Sequence, residues 1–182
     1  MKKFLVLVAL VAMVFSVSSV FAADVIVEAE DFVKEEGGSV TKTVGRVRAN
    51  KESILGWDNK GHALEWEVDI PEDGSYKLVL RYCHNRNWNT LREIQIDGQV
   101  PHEAFKSVVF KSTGGWAKDR NDWQNFTVCD AEGNPVMIEL TKGKHTVRML
   151  NLGGDDGGDN GSVNMDRFAF LAKDTDPGIL GK

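Results

Sequence analysis

Two-residue alternation, repeated in run after run, is what most limits the folds open to this chain. In ALEWEVDI, residues 63–70, Leu64, Trp66, Val68 and Ile70 share one face while Glu65, Glu67 and Asp69 share the other. That is the pattern of a strand with one side buried and one side wet. SYKLVLRYC repeats it with Tyr76, Leu78, Leu80 and Tyr82, REIQIDG with Ile94 and Ile96, and HTVRML with Val147 and Met149. Turn chemistry separates the runs: PEDG at 71–74, DGQVP at 97–101, AEGNP at 131–135 and KGK at 142–144. No segment sustains a 3.6-residue apolar period. Short strands in series with no helices between them predict an all-β fold, an antiparallel β-sandwich of the jelly-roll kind.

The N-terminus predicts a compartment. Lys2 and Lys3 precede an apolar run from Phe4 to Val17, and VFAAD follows with small residues. This reads as a signal peptide over 1–22 cleaved after Ala22, since the run is short of the ~20 residues that a membrane span needs. The expected product is secreted, extracellular or periplasmic, with one sandwich over 23–173 and a short unstructured tail over 174–182. About 160 residues make one domain, large enough to bury roughly two thirds of its unfolded surface. The formal net charge is −5, and more negative without the two leader lysines. That balance argues against nucleic acid or an anionic membrane as partner, because both need a concentrated positive face. Cys83 and Cys129 stand in a chain expected to meet oxidising conditions, where a disulfide between them and two free thiols are equally open.

The first strand of the expected sandwich, VIVEAEDF at 25–32, is loaded with carboxylates. If it continues as a strand, Glu28 and Glu30 project from one face with Ile26, and Asp31 from the other. Such a pair can face water, flank a glycosidic bond as acid and base, or hold a hard cation such as calcium. Spacing alone leaves all three open. CHNRNWNTLR at 83–92, with Trp88 in its middle, and the Gly- and Asp-rich NLGGDDGGDNGS at 151–162 are too long for simple turns and are functional or mobile. Trp66 belongs to the apolar face of its strand and Trp123 alternates with Asn125 and Thr127 in DWQNFTV, which leaves Trp57, Trp88 and Trp116 as loop aromatics. Flat rings suit the C–H faces of sugars, and asparagine suits their hydroxyls.

Taken in order, VEAEDF, GWDNKGHALEWEVDIPEDGSYKLVLRY, IQIDG, TGGW, LTKGKHTVRML and NMDRFAFL resemble the carbohydrate-binding modules of families 6 and 35 over nearly all of residues 24–172. The resemblance implies a non-catalytic module that binds a polysaccharide or oligosaccharide. It implies a structural calcium held by Glu28, Glu30 and Asp166 with backbone carbonyls, joining the first and last strands. It also implies a cleft with the sugar between Trp57 and Trp116, hydrogen-bonded to Asn164, and Trp123 as packing. Trp88 has no firm counterpart in that pattern and is carried as a further loop candidate.

Two departures bear on the cleft. AKDRND between Trp116 and Trp123 is longer than the family's spacing, and GGDDGGDNG is unusually acidic. Asp155, Asp156 and Asp159 there are candidates for a second calcium or for a solvated loop. Arg86, Arg92, Lys118 and Arg120, in or beside these loops, are candidates for pairing with a uronic acid carboxylate. Modules of this kind usually ride on a glycan-degrading enzyme, so a separate enzyme or complex is a candidate partner. Two further readings stay open: a structural or adhesion protein using the same sandwich, and a small hydrolase or lyase. The second is disfavoured because Glu65 and Glu67 sit side by side on one strand, and no nucleophile elbow, zinc-spaced histidine motif or phosphate loop is present.

Overall fold

The computed structural model describes residues 23–181; the signal peptide expected over 1–22 lies outside the described residues. The described residues form twelve strands: β1 (Val25–Glu28), β2 (Lys34–Glu36), β3 (Thr41–Val44), β4 (Glu52–Leu55), β5 (Ala63–Ile70), β6 (Gly74–Cys83), β7 (Thr90–Ile96), β8 (Val108–Phe110), β9 (Gln124–Thr127), β10 (Met137–Leu140), β11 (Gly143–Gly154) and β12 (Asn164–Ala172). One sheet runs β10-β6-β12-β4-β3, with β1 also on β12 and β9 also on β6; the other runs β2-β5-β11-β7-β8. All pairings are antiparallel. This is the expected two-sheet sandwich.

The alternating apolar faces meet in the middle. Leu64, Trp66, Val68 and Ile70 of β5 join Ile94, Ile96, Val147 and Met149 from the same sheet, and face Leu78, Leu80, Tyr82, Phe168 and Phe170 of the other. Trp66 packs edge-on to Phe168 with ring centroids 5.2 Å apart, and its indole N–H donates to the Ala29 carbonyl at 3.1 Å. Each large side chain so buried contributes about 1.5–3 kcal/mol.

Three local departures from plain strand geometry place the polar groups. First, β1 stops at Glu28 and residues Ala29–Asp31 form a 3-10 turn. Two-residue alternation therefore ends there: Glu28 stays half-buried, Glu30 turns inward and Asp31 is exposed. Glu28 and Glu30 do not share a strand face, as they would had β1 continued. Second, the β12–β6 register shifts between Met165 and Arg167, so Asp166 is the extra residue of a bulge, a device that re-aims a side chain. Third, the tail expected to be unstructured docks. Pro177–Leu180 form a 3-10 turn, and Leu180 is buried with Val79, Ala169 and Leu171. Arg81 Nη1 donates to the Gly181 carbonyl at 2.7 Å. Covered in this way, β6 is buried on both faces along its second half, and not only at its alternating apolar positions.

Both cysteines are free thiols. Val79 stands opposite Thr127, which puts Cys129 about six residues, roughly 20 Å, from Cys83 along β6. A disulfide spans no more than about 7 Å between Cα atoms.

Candidate functional site

Five connections gather at one end of the sandwich: residues 45–51, 56–62, 84–89, 111–123 and 155–163. Their backbones interlock. Gly61 N–H donates to the Asn151 carbonyl, Lys60 N–H to Asp159, Gly161 N–H to Asp58, Thr113 N–H to His84 and Val47 N–H to Ala117. Two glycines are required by close approach. A Cβ on Gly115 of TGGW would overlap the Asp122 carboxylate, and one on Gly153, at φ +92°, would overlap the Gly158 carbonyl.

Beneath these loops lies Arg92, fully buried. It shares a face with Ile94 and Ile96, so the alternation of β7 turns it inward. Its guanidinium donates to the carbonyls of Leu91, Trp57 and Gly161 at 2.9, 3.2 and 2.6 Å and sits 4.3 Å from the Trp57 ring centre. Burial draws its pKa down to about 9, which leaves it charged at neutral pH. Arg92 is therefore a pin for the loops, and the expectation that it meets a ligand carboxylate is corrected by its burial.

Trp57 is also placed otherwise than expected. It is 0% exposed, its N–H donates to the His62 carbonyl, and its ring meets Trp66 and His62 edge-on. No face of this indole is open for a sugar to stack on, so it does not wall a cleft opposite Trp116.

The half-buried indoles are Trp88 and Trp116. Trp88 is tied down by its N–H to the Asn160 carbonyl at 2.9 Å. The Trp116 loop is tied through its backbone, since the Trp116 carbonyl accepts from Asn164 Nδ2 at 3.2 Å and from Arg46 Nη1 at 3.3 Å. Asn164 is 4% exposed and sits under Trp116. Arg86 lies between the two indoles, its guanidinium carbon 5.5 Å from each ring centre. His84 supports this group from below, 6.4 Å from Trp116 between ring centres. Its Nε2 meets the Phe110 carbonyl and its Nδ1 accepts the Arg86 backbone N–H. Burial lowers its pKa, so it is the neutral ring with the proton on Nε2. Arg86 is one of the arginines expected from sequence beside the loops, whereas nothing but its place near Trp88 in the polar CHNRNWN stretch marks His84.

At the first and last strands, Glu28, Glu30 and Asp166 come into one neighbourhood. Glu28 Oε2 and Glu30 Oε2 are both buried without a hydrogen-bond partner. Desolvation and the charges of Glu28 and Asp31 raise the pKa of Glu30. Asp166 is differently engaged: Oδ1 accepts from the Asn50 N–H, and Oδ2 from Arg81 at 3.0 Å and Arg167 at 3.2 Å. Arg167 also approaches Glu28 at 3.9 Å. Among the described residues no three His, Cys, Asp or Glu side chains converge at metal-holding spacing. Two orphaned carboxylate oxygens on residues that feel each other's charge nonetheless suit a hard, oxygen-seeking cation completed by backbone carbonyls. The acidic loop is unlike this: Asp155 accepts from Asn89, and Asp156 caps the Gly158 N–H.

A groove of about 590 Å³ opens elsewhere, between β8 and the residues that follow β9, floored by Val108, Phe126 and Val128. Its phenyl ring, Phe126, is already engaged edge-on with Tyr82. The loop end has the open indoles and the unmatched donors, and is the better candidate for a ligand.

The profile described as carbohydrate binding module (family 6) matches residues 28–172. The chain is 24% identical over 146 residues to an exo-beta-D-glucosaminidase of Amycolatopsis orientalis, a match covering 77% of this chain and 12% of that protein. A family 35 carbohydrate binding module from Clostridium thermocellum superposes with a TM-score of 0.62 at 24% identity, over 83% of this chain and 99% of that one. A module of the Cellvibrio mixtus lichenase 5A, solved in complex with cellotriose, gives a TM-score of 0.51 at 17% identity, over 83% and 97%. At these identities the superpositions establish the sandwich fold.

Proposed function

Because the chain belongs to family 6 of the carbohydrate binding modules, we propose that it is a secreted, non-catalytic protein that binds a polysaccharide or oligosaccharide at the loop end of its sandwich. The observation that carries this reading is the pair of half-buried indoles, Trp88 and Trp116, set on either side of Arg86. A pyranose stacks its apolar C–H face on an indole, and polar side chains at the rim take its hydroxyls. Trp116 supplies the platform, Trp88 a second one, and Asn164 holds the Trp116 loop from below. The carboxylates suit another task. Glu65 and Glu67 are neighbours on the outer face of one strand, and Glu67 pairs with Lys144, an arrangement of solvated charges with no opposed acid and base.

Affinity electrophoresis through gels containing neutral and acidic polysaccharides tests the reading. Retardation by one polymer class is the expected result. A folded sample that migrates unretarded in every gel overturns it in favour of a protein-binding role, in which a separate enzyme or complex would be the partner.

Within the same proposal, Glu28 and Glu30 hold a structural calcium, with Asp166 beside them. The ion would offset the desolvation, and the lesser repulsion, that raise the Glu30 pKa, and fasten the first strand to the last. An acid whose folded pKa is raised loses stability as pH climbs through the window above its ordinary value of 4.5. In chelator, then, this group destabilises the fold more at pH 7 than at pH 5. Millimolar calcium at about 100 times its Kd should stabilise by ~2.7 kcal/mol, raising Tm by roughly 5–10 °C for a domain of this size. Glu30→Gln should abolish the rise. A Tm equal in calcium and in chelator at pH 7 overturns the assignment.

A further inference from the structure

We infer that Asp122 is the positioning residue of the Trp116 platform, acting through a brace built by the insertion AKDRND, residues 117–122; the inference rests on the carbohydrate-binding reading above and deepens it. Of the five tryptophans, four fix their rings with their own N–H. Trp57 donates to the His62 carbonyl, Trp66 to Ala29, Trp88 to Asn160 and Trp123 to Val47. The Trp116 indole makes no such bond among the described residues. Its ring contacts are His84 and Arg86, and the Arg86 Nε is itself buried without an acceptor. The direction of this ring is therefore set by the backbone on either side of it.

That backbone is strained and held from several sides. Ala117 adopts φ +51°, a left-handed conformation that is costly for a residue with a Cβ and persists only where neighbours enforce it. Its N–H donates to Asp122 Oδ2 at 3.0 Å, its carbonyl accepts from the Val47 N–H at 2.9 Å, and its methyl is buried with Cys83 and Trp123. The other carboxylate oxygen, Oδ1, accepts from Arg120 Nε at 2.6 Å, and Arg120 Nη2 donates to the Gly114 carbonyl at 2.8 Å. Asp122 thus holds residue 117 directly and residue 114 through Arg120, with Trp116 between them. Gly115 completes the seat, since the carboxylate fills the space a Cβ would need there. The Asp122 side chain is 7% exposed and that of Arg120 71%, so the bond to Ala117 carries most of the restraint. Left free, an apolar ring in a loop turns toward cover, as Trp57 does. A platform fixed before the ligand arrives spares the ordering cost of binding.

The test reads affinity and ring environment separately. Affinity gels contain the polysaccharide that retards the parent. Fluorine NMR uses protein labelled with fluorotryptophan, the Trp116 line being assigned by its loss in Trp116→Phe. Asp122→Ala should weaken binding about tenfold or more and lower Tm by no more than about 8 °C. It should also shift or broaden the Trp116 line more than those of the other tryptophans. Asp122→Asn keeps an oxygen for the Ala117 N–H, and should restore the Trp116 line and bind within about threefold of the parent. A folded Asp122→Ala that keeps its affinity or its Trp116 line overturns the inference, as does an asparagine variant that loses as much as the alanine one. So does a parent protein whose Trp116 line is already broad or doubled, a readout that stands even if Asp122→Ala does not fold. Retardation of the parent by no polysaccharide overturns the carbohydrate reading instead, and the fluorine spectra then decide the brace alone.

Discussion

Trp116→Ala should abolish retardation of the protein by its polysaccharide, or weaken binding at least tenfold, while leaving Tm within about 4 °C of the parent. Backbone and side chain have separate roles at this residue. The Trp116 carbonyl ties the loop to Asn164 and Arg46, and it survives the substitution. The indole is half-buried, and its ring contacts are with Arg86 and His84. Losing one partly exposed cation–π contact costs about 0.5–1 kcal/mol, or a few degrees of Tm in a domain of this size. Losing the stacking platform removes the apolar half of sugar recognition, and each tenfold loss of affinity is ~1.4 kcal/mol. Trp88→Ala should separate less cleanly, because the Trp88 ring packs against Gly154 and its N–H holds the Asn160 carbonyl. Unchanged affinity in folded Trp116→Ala would remove the loop-end site as the place of binding.

Arg92→Ala should destabilise the fold by about 3–5 kcal/mol and lower Tm by roughly 10 °C, well beyond the effect of Trp116→Ala. Truncating a long buried side chain leaves a cavity worth about 2–5 kcal/mol. It also strips donors from buried carbonyls, at about 1–3 kcal/mol for each one left unmatched. Asn151 Nδ2 still reaches the Trp57 carbonyl at 3.1 Å, which spares part of that second cost. Relief from burying a charge works the other way, but only a side chain of similar volume can profit from it. Arg92→Met should therefore lose less than Arg92→Ala. The alanine variant should also bind polysaccharide more weakly, because the Trp57 and Gly161 carbonyls belong to loops that frame the site. A thermal melt of Arg92→Ala within about 2 °C of the parent would show that the guanidinium does not pin the loops.

The strands were legible because burial has a period on a pleated surface. Leu64, Trp66, Val68 and Ile70 lie in the core as their alternation requires; Arg92, expected at a ligand carboxylate, is instead the inward position one step before Ile94 on the same strand face. The site was legible in part. Trp88 and Trp116 do stand at the loop end. Trp57 was misplaced because a tryptophan in a loop looks the same in sequence whether its ring faces solvent or lies under neighbouring loops. Arg81 was hidden for a related reason. Its strand face reads as solvent-facing until the docked turn at Pro177–Leu180 covers it.

By itself, then, the sequence determined which residues form strands, which side of each strand seeks the core, and where the long connections fall. All of these follow from interactions between residues a few positions apart. The tertiary structure decided the rest: that Trp57 is sealed and Trp116 half-open, that a 3-10 turn swings Glu30 inward beside Glu28, that a bulge aims Asp166 at Arg81, and that Arg86 rests between two indoles without an acceptor. Those outcomes depend on contacts between segments tens of residues apart. Burial and desolvation there are set by what the fold brings overhead, which no local pattern records.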